Sequence, residues 1–429
     1  YSKVCRGICP KPKHWIIRSL AKLLEINLGY TIVAITNEWD IFRRRYRSLF
    51  SELIKFDNID YILFIETPLT FYSFVRFIFG KMNRRDKERW WRVLRNGIIH
   101  REGDIFIITP IVPFPFLSLN LLLQFNIFWL NKFQLYVINY LRKRLQLRDI
   151  ILWINHPYYS APLISKIPHL LFCYDLCDDY NEKEKDKNCI LAREIRKNDD
   201  YLTKNADLMF VSNEKLFQHR FFRHTNIFRV ANGVHPEFFK ENHSMISEPA
   251  DLKHIPRPRI IYIGHISSCI DLEILQWINK IHPEWSIVMV GPLHEKLFMN
   301  AIKKIDTVYL LGVKSYEESI VYLKFSDAAI IPYLRNGWST SIDSLKKYNY
   351  LASGKPVVST EIGNAEDFRG VIFIGRDKED FVEKIELALS ETNEENERRR
   401  KLQYEIIAEH TWQKRAEKIY NLMMAQLQS

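Results

Sequence analysis

Four hydroxyl side chains, Ser339, Thr340, Ser341 and Ser344, precede Lys346 in the stretch Ser326 to Thr360. Ala328 to Ile331 is a short apolar run closed by Pro332, the pattern of a buried strand that hands the chain to a loop. Lys346 to Ala352 is expected to be helical, with Leu345, Tyr348 and Leu351 on one face. Ser353-Gly354-Lys355-Pro356 supplies the glycine and the proline that stop it. Val357 to Thr360 is then the next strand. In an open α/β sheet a ligand sits beyond the carboxyl ends of the strands, and a helix N-terminus offers free N–H groups to an anion. The loop Arg335 to Ser344 is therefore expected to hold a phosphate. Lys346, at the head of the helix, can pair with that phosphate while negative charge grows on a leaving group. The plain alternative is a solvated helix lysine beside hydroxyls that cap turns.

The rest of the chain supplies elements of the same kind. Val4 to Ile8 and Thr31 to Thr36 are expected strands around a helical pattern at Trp15, Ile16, Leu20, Leu23 and Leu24. Ile62 to Ile65 follows, ending in Glu66-Thr67-Pro68, then a charged helical section from Phe71 to Arg95. Next come the strand Ile105 to Ile108, a helix ending near Arg144, and the strand Ile150 to Ile154 with Asn155-His156-Pro157 after it. His169 to Cys173 is an expected strand whose end carries Asp175, Asp178 and Asp179. Further strands are expected at Ala206 to Ser212 and Ile227 to Val230, the latter leading into Asn232-Gly233-Val234. Glu241 to Pro258 is polar and rich in proline, as a linker would be. After it, strands at Arg259 to Ile263, Ser286 to Val290 and Val308 to Leu311 end in Gly264-His265, Gly291-Pro292 and Gly312-Val313. Helices are expected at Leu272 to Ile281 and Tyr316 to Phe325. Beyond Thr360 come a strand Val371 to Ile374, a helix from Phe381, a solvated charge run Glu394 to Lys401 and a last helix near Thr411 to Arg415. Alternating strands and helices argue for parallel sheets with right-handed crossovers.

The run Pro332-Tyr333, Asn336, Leu345-Lys346, Tyr350-Leu351-Ala352 and Gly354-Lys355-Pro356-Val357-Val358-Ser359-Thr360 resembles the donor-site signature of GT-B nucleotide-sugar glycosyltransferases. The likeness is greatest to their bacterial polysaccharide-biosynthesis branch, of the group 4 and group 1 kind. Tyr174-Asp175 with Asp178-Asp179-Tyr180, then Ala206-Asp207, then Asn232-Gly233-Val234, resemble the end of the N-terminal domain in that branch, in the same order. Trp412 and Arg415 resemble its terminal helix. The similarity covers most of residues 150 to 415 and is weak before them. It implies an α/β fold of two Rossmann-like domains facing each other across a cleft: an acceptor-binding domain over 1–240, a nucleotide-sugar-binding domain over 255–410, and a helix at 411–429 crossing back. Asn349 stands where the family usually has a glutamate that holds the donor ribose, and an amide binds hydroxyls less strongly.

The resemblance implies transfer of a sugar from a UDP- or GDP-linked donor to a saccharide or lipid-linked saccharide, in cell-surface polysaccharide biosynthesis. Lys346, Ser339, Thr340, Ser341, Ser344, Asn349, Gly264, His265, Gly312 and Val313 are its candidate donor contacts; each glycine pair can equally be a tight turn. Transfer with inversion needs a group to take the acceptor hydroxyl proton. Crowded carboxylates raise one another's proton affinity, which makes Asp178 the first choice and Asp175 the second. Helix capping is the structural alternative for each. His156 is a third candidate, or simply packs against Pro157. No Asp-x-Asp motif stands in a convincing place, so no metal or other cofactor is expected. A protein of this fold that binds nucleotide sugar or polysaccharide without turnover is the rival, and Asn349 is its best argument.

Composition agrees with a globular protein of two domains: 429 residues, 47% hydrophobic and 14% aromatic. Of its net charge of +11, the excess lies early, with 25 Lys and Arg against 12 Asp and Glu in residues 1–150. Such a half attracts nucleic acid, anionic lipid or a phosphorylated substrate. Nucleic acid is set aside because no zinc-finger spacing, RNA-recognition signature or helix-turn-helix is present. Cysteines 5, 9, 173, 177, 189 and 269 lack zinc-knuckle spacing and are read as reduced thiols of a cytoplasmic protein. No secretory leader is visible, and a chain opening on Tyr1 leaves its native start open. The uncharged stretch Ile105 to Asn131 is interrupted by Pro110, Pro113 and Pro115, which argues against a spanning helix. Its aromatics, beside Arg43-Arg44-Arg45-Tyr46-Arg47 and Arg142-Lys143-Arg144, suit either docking on an anionic membrane at its inner face or an ordinary core with a loop.

Overall fold

The computed structural model describes residues 29–39, 45–82, 84–114, 120–178, 180, 190–235, 247–293, 295–336 and 339–429. The strand expected at Val4 to Ile8, the helical pattern after Trp15, and Asp179 lie outside them. The chain divides into two compact units, residues 1–38 with 53–173, and residues 39–52 with 174–429.

The first unit is built on β1 (Tyr30–Ile35), β2 (Ile59–Ile65), β4 (Ile99–Glu102), β5 (Ile105–Ile108) and β7 (Asp149–Ile154), in the order β7-β1-β2-β5-β4. β1 pairs in parallel with β2 and β7, and β2 with β5, while β4 returns antiparallel on β5. Val33, Leu63, Ile107 and Leu152 are fully buried, as the strands of a sheet covered on both faces must be. β3 (Leu69–Thr70) and β6 (Ile111–Val112) form a small separate pair. The single helical section expected from Phe71 to Arg95 is two helices, Phe71–Ile78 and Arg84–Asn96. Gly80, with φ of +66°, turns the chain out of the first. Helix Asn120–Arg144 is exposed at Phe125, Phe128 and Trp129 and buried at Leu130. Among the described residues, no helix is long and apolar enough to cross a membrane.

The chain enters the second unit within β8 (Leu171–Leu176), which is followed by β9 (Leu208–Val211) and β10 (Ile227–Arg229) in the order β10-β9-β8. β8 runs three residues past the end expected at Cys173, so Asp175 is a strand residue rather than part of a loop. A second sheet holds β11 (Arg259–Ile263), β12 (Ser286–Val290), β13 (Val308–Gly312), β14 (Ala328–Ile331), β15 (Val357–Ser359) and β16 (Phe373–Ile374). Its order is β13-β12-β11-β14-β15-β16, and every pairing is parallel. One continuous core, including Ile261, Val288, Ile330, Tyr350, Val358 and Phe381, covers both faces. The charge run at Glu394 belongs to helix Asn393–Ala408. It is not uniformly solvated: Arg399 is buried, donates to Glu391 Oε1 at 2.8 Å, and caps the Gly354 carbonyl at 3.0 Å. The last helix, Trp412–Gln428, is tied to β10 and the turn after it by Lys418 on the Arg229 carbonyl (2.9 Å) and Arg415 on that of Asn232 (3.1 Å).

Candidate functional site

Three adjacent strands, β11, β12 and β13, each end on a glycine with positive φ: Gly264 (+148°), Gly291 (+147°) and Gly312 (+71°). Gly264 N–H donates to the Val290 carbonyl and Gly291 N–H to that of Gly312, both at 2.8 Å, so the ladder runs to the sheet edge. A Cβ on Gly291 would lie 1.9 Å from the Gly264 carbonyl oxygen, and one on Gly264 would meet Lys346. Gly291 therefore has no room for a side chain, and one at Gly264 would displace the Lys346 ammonium. Gly312 is exposed, Val313 half-buried and His265 exposed.

Lys346 stands in the first turn of helix Leu345–Ala352. Its ammonium donates to Tyr333 Oη at 2.7 Å and lies 5.2 and 5.3 Å from the ring centres of Tyr262 and Tyr333, within cation–π range. The Tyr262 ring is itself fixed. Tyr262 donates to the His265 carbonyl at 2.7 Å, and Tyr350, from the same helix as Lys346, accepts from Ile263 N–H at 2.7 Å. Burial pushes both phenols up, so they stay neutral hydrogen-bonding groups. These bonds join helix Leu345–Ala352 to the end of β11 and to the residues after β14. They hold a cation beside a backbone with no side chain, which is what close approach of an anion requires.

The loop hydroxyls are used differently from one another. Ser339 N–H donates to Asn336 Oδ1 at 2.9 Å and its Oγ accepts from Asn336 N–H at 3.1 Å, while Thr340 Oγ1 donates to the Asn336 carbonyl at 3.2 Å. These two hydroxyls shape the loop. The carbonyl of buried Ser341 accepts from Asn213 Nδ2 at 2.7 Å, and Ser344 precedes the helix without a side-chain capping bond. Between them lies Asp343, buried, which accepts from Lys347 Nζ at 2.7 Å, Asn232 N–H at 2.5 Å and Tyr348 Oη at 2.9 Å. Burial alone would raise its carboxyl, but Lys347 and these donors hold it below the usual range. Asn349 is half-buried one turn along the helix from Lys346.

The carboxylates expected at one strand end are separated by burial. Asp175 is fully buried, with Arg45 on both oxygens at 3.0 and 3.2 Å. Arg45 also donates to the Val230 carbonyl at 3.0 Å and to Asn232 Oδ1 at 3.2 Å. Burial raises the Asp175 carboxyl and Arg45 opposes it, in an arrangement that anchors β8 to the turn after β10 rather than presenting a base to a cleft. Asp178 lies just past the end of β8 and is half-buried. His156, in the first unit, is fully buried with its ring 4.8 Å from that of Tyr159. Neither ring nitrogen has a partner among the described residues, and burial pulls the imidazole down to about 4. Among those residues no three His, Cys, Asp or Glu side chains converge as metal ligands. Sequence reasoning missed Arg45, Tyr262 and Gly291 as site components; only Gly291, at a strand tip before Pro292, carried a visible signal.

A family model described as glycosyl transferases group 1 matches residues 257–391, the stretch that carries the glycine ladder and Lys346. Over those residues the chain is similar to glycosyl transferases group 1. The fold of the whole chain is GT-B: it superposes on sucrose-phosphate synthase from Thermosynechococcus elongatus with a TM-score of 0.66 at 11% identity, covering 92% of this chain and 98% of that one. A UDP-forming α,α-trehalose-phosphate synthase from Burkholderia vietnamiensis matches at 0.66 and 11%, covering 94% and 100%. At such identity the likeness speaks for the GT-B fold alone. In sequence the chain is 27% identical over 173 residues to TuaH of Bacillus subtilis (strain 168), named as a teichuronic acid biosynthesis glycosyltransferase. That match covers 40% of this chain and 41% of TuaH, less than half the length of either.

Proposed function

We propose that this GT-B protein is a glycosyltransferase that moves a sugar from a UDP- or GDP-linked donor to a saccharide or lipid-linked saccharide in cell-surface polysaccharide biosynthesis. The observation that carries the proposal is Lys346, held by Tyr333 and Tyr262 against the side-chain-free backbone of Gly264. A diphosphate bound there would lie between an ammonium and the free N–H groups at the head of helix Leu345–Ala352. As the bond to the sugar breaks, the charge left on the diphosphate is met by a cation already in place, so the transition state gains more than the ground state. Asp178 is the carboxylate read as taking the acceptor proton, because Arg45 occupies Asp175. Chemistry of this kind uses fixed charges of the chain, with no metal required of it. The nearness of TuaH in sequence supports a polysaccharide acceptor.

The reading is tested with Lys346→Ala. Because that side chain is only half-buried, the variant is expected to fold normally by circular dichroism. It should lose about a hundredfold or more in donor hydrolysis or transfer, as removal of one fixed charge-stabilising group does elsewhere. Unchanged turnover would sink the proposal. Tight binding of a UDP- or GDP-sugar by the parent protein with no turnover would favour the rival, a non-catalytic binder, for which Asn349 in the ribose position speaks.

A further inference from the structure

Helix Phe71–Ile78 has no buried residue, although it is one of the most apolar segments of the chain. Its inner side is accounted for. Phe74 packs on Trp90 of helix Arg84–Asn96 with ring centres 4.8 Å apart, Phe77 meets Trp91 at 5.3 Å, and Ser73 accepts from Trp90 Nε1 at 2.9 Å. Trp90 is buried, so the second helix is rooted in the first unit and carries the first helix on it. The outer side is Phe71, Tyr72, Val75, Ile78 and Phe79, with Phe71, Ile78 and Phe79 exposed by 59, 63 and 70%. At helical spacing these five fall within an arc of about 120°, while Ser73, Phe74 and Phe77 fall on the opposite side. The neighbouring helix adds exposed Trp91 and Leu94.

The rim of this surface is basic. Arg76, Lys81, Lys87 and Arg95 are all exposed, and the Arg95 guanidinium lies 5.4 Å from the Trp91 ring centre. Two acids stand among them, Asp86, which lies 3.6 Å from Arg89, and half-buried Glu88, against four exposed cations. We infer that the hairpin Phe71–Asn96 docks on an anionic lipid bilayer, with Phe71, Val75, Ile78 and Phe79 entering the acyl boundary and Arg76, Lys81, Lys87 and Arg95 meeting the headgroups. Apolar insertion and electrostatic attraction to anionic headgroups add in such a contact, and Tyr and Trp are suited to the boundary itself. A second copy of the chain is a poorer occupant, because a self-complementary interface would set the same basic rim against itself. The inference does not rest on sugar transfer. Docking positions the first unit where a lipid-anchored acceptor would be, but it is measured with no donor present.

The full chain is mixed with vesicles of phosphatidylglycerol and, separately, of phosphatidylcholine, and bound protein is collected by centrifugation. Binding is expected to phosphatidylglycerol only, to weaken with salt, and to shift the emission of exposed Trp91 to the blue. Phe71→Ser with Phe79→Ser should weaken it about tenfold or more with an unchanged melting temperature, since neither side chain is buried. Phe222→Ser, at a residue 92% exposed in the second unit, should leave it unchanged. Equal binding by the double variant, or no sedimentation with either lipid, overturns the inference. So does a concentration-dependent dimer that the double variant abolishes while the parent ignores vesicles.

Discussion

A Cβ placed on Gly264 would lie 2.2 Å from Cε and 2.6 Å from Nζ of Lys346, two residues 82 positions apart. The Lys346 side chain thus fills the space that any other residue at 264 would claim, and the conformation at 264, with φ of +148°, is one that L side chains rarely adopt.

Gly264→Ala is expected both to strain the end of β11, by about 1–3 kcal/mol, and to push the ammonium off its station over Tyr262 and Tyr333. The checks are a melting curve and the further rise in melting temperature caused by UDP or GDP. Loss of the nucleotide-dependent rise, beyond the general destabilisation, is the expected outcome. A variant that keeps the full rise would show that the ammonium has an equally good second position.

The two aspartates at and beyond the end of β8 should separate cleanly. Asp178→Asn, at a half-buried position, is expected to leave unfolding by urea unchanged and to lower transfer by about a hundredfold to ten-thousandfold, the usual range for a lost general base. Asp175→Asn should do the reverse to stability, because it leaves the buried Arg45 guanidinium without its counter-charge; breaking such a pair costs about 3–5 kcal/mol. If Asp178→Asn transfers sugar at the parent rate, the proton goes elsewhere.

His156 makes a pH prediction. Its folded value of about 4 lies below the ordinary 6.5, so below pH 6.5 the unfolded chain takes up a proton that the folded chain refuses. Stability therefore falls as pH drops from 6.5 to 4 and its contribution levels off below that, by a total on the order of 3 kcal/mol. His156→Phe should flatten this part of the profile when urea midpoints are taken at pH 7 and pH 4.5. Parallel profiles for parent and variant would mean that the imidazole is reached by water.

How much of this could be read from residues alone depends on the range of the interaction concerned. β5, β11, β12 and β14 form over the bounds expected of them, because each is a continuous apolar run stopped by glycine, proline or a charged residue. Gly264 and Lys346 each stood out locally, but their contact spans 82 residues and has no local mark. β8 is expected to end before Asp175 because aspartate is a poor strand residue, and what makes Asp175 tolerable there is Arg45, 130 positions earlier. The hydroxyls before Lys346 were legible as a group; that Ser339 and Thr340 bond to Asn336 while Ser344 does not cap its own helix is a matter of backbone geometry, which hydroxyl content does not encode.

Asn349 is the position where the proposed donor site departs from the pattern it resembles, and the departure can be reversed. Its side chain is half-buried on the helix that carries Lys346 and has no hydrogen-bond partner among the described residues, so Asn349→Glu disturbs no existing contact. A carboxylate accepts from two ribose hydroxyls with charge assistance, roughly doubling the strength of a neutral bond. Asn349→Glu is accordingly expected to tighten UDP or GDP binding by about tenfold, equivalent to about 1.4 kcal/mol, read by calorimetry on the parent and variant. The gain should shrink with the deoxyribose diphosphate that lacks the 2′-hydroxyl, which leaves the carboxylate only the 3′-hydroxyl to accept from. An equal gain with both nucleotides would instead assign the effect elsewhere than the 2′-hydroxyl, and an unchanged affinity for the ribonucleotide would remove residue 349 from the proposed donor site altogether.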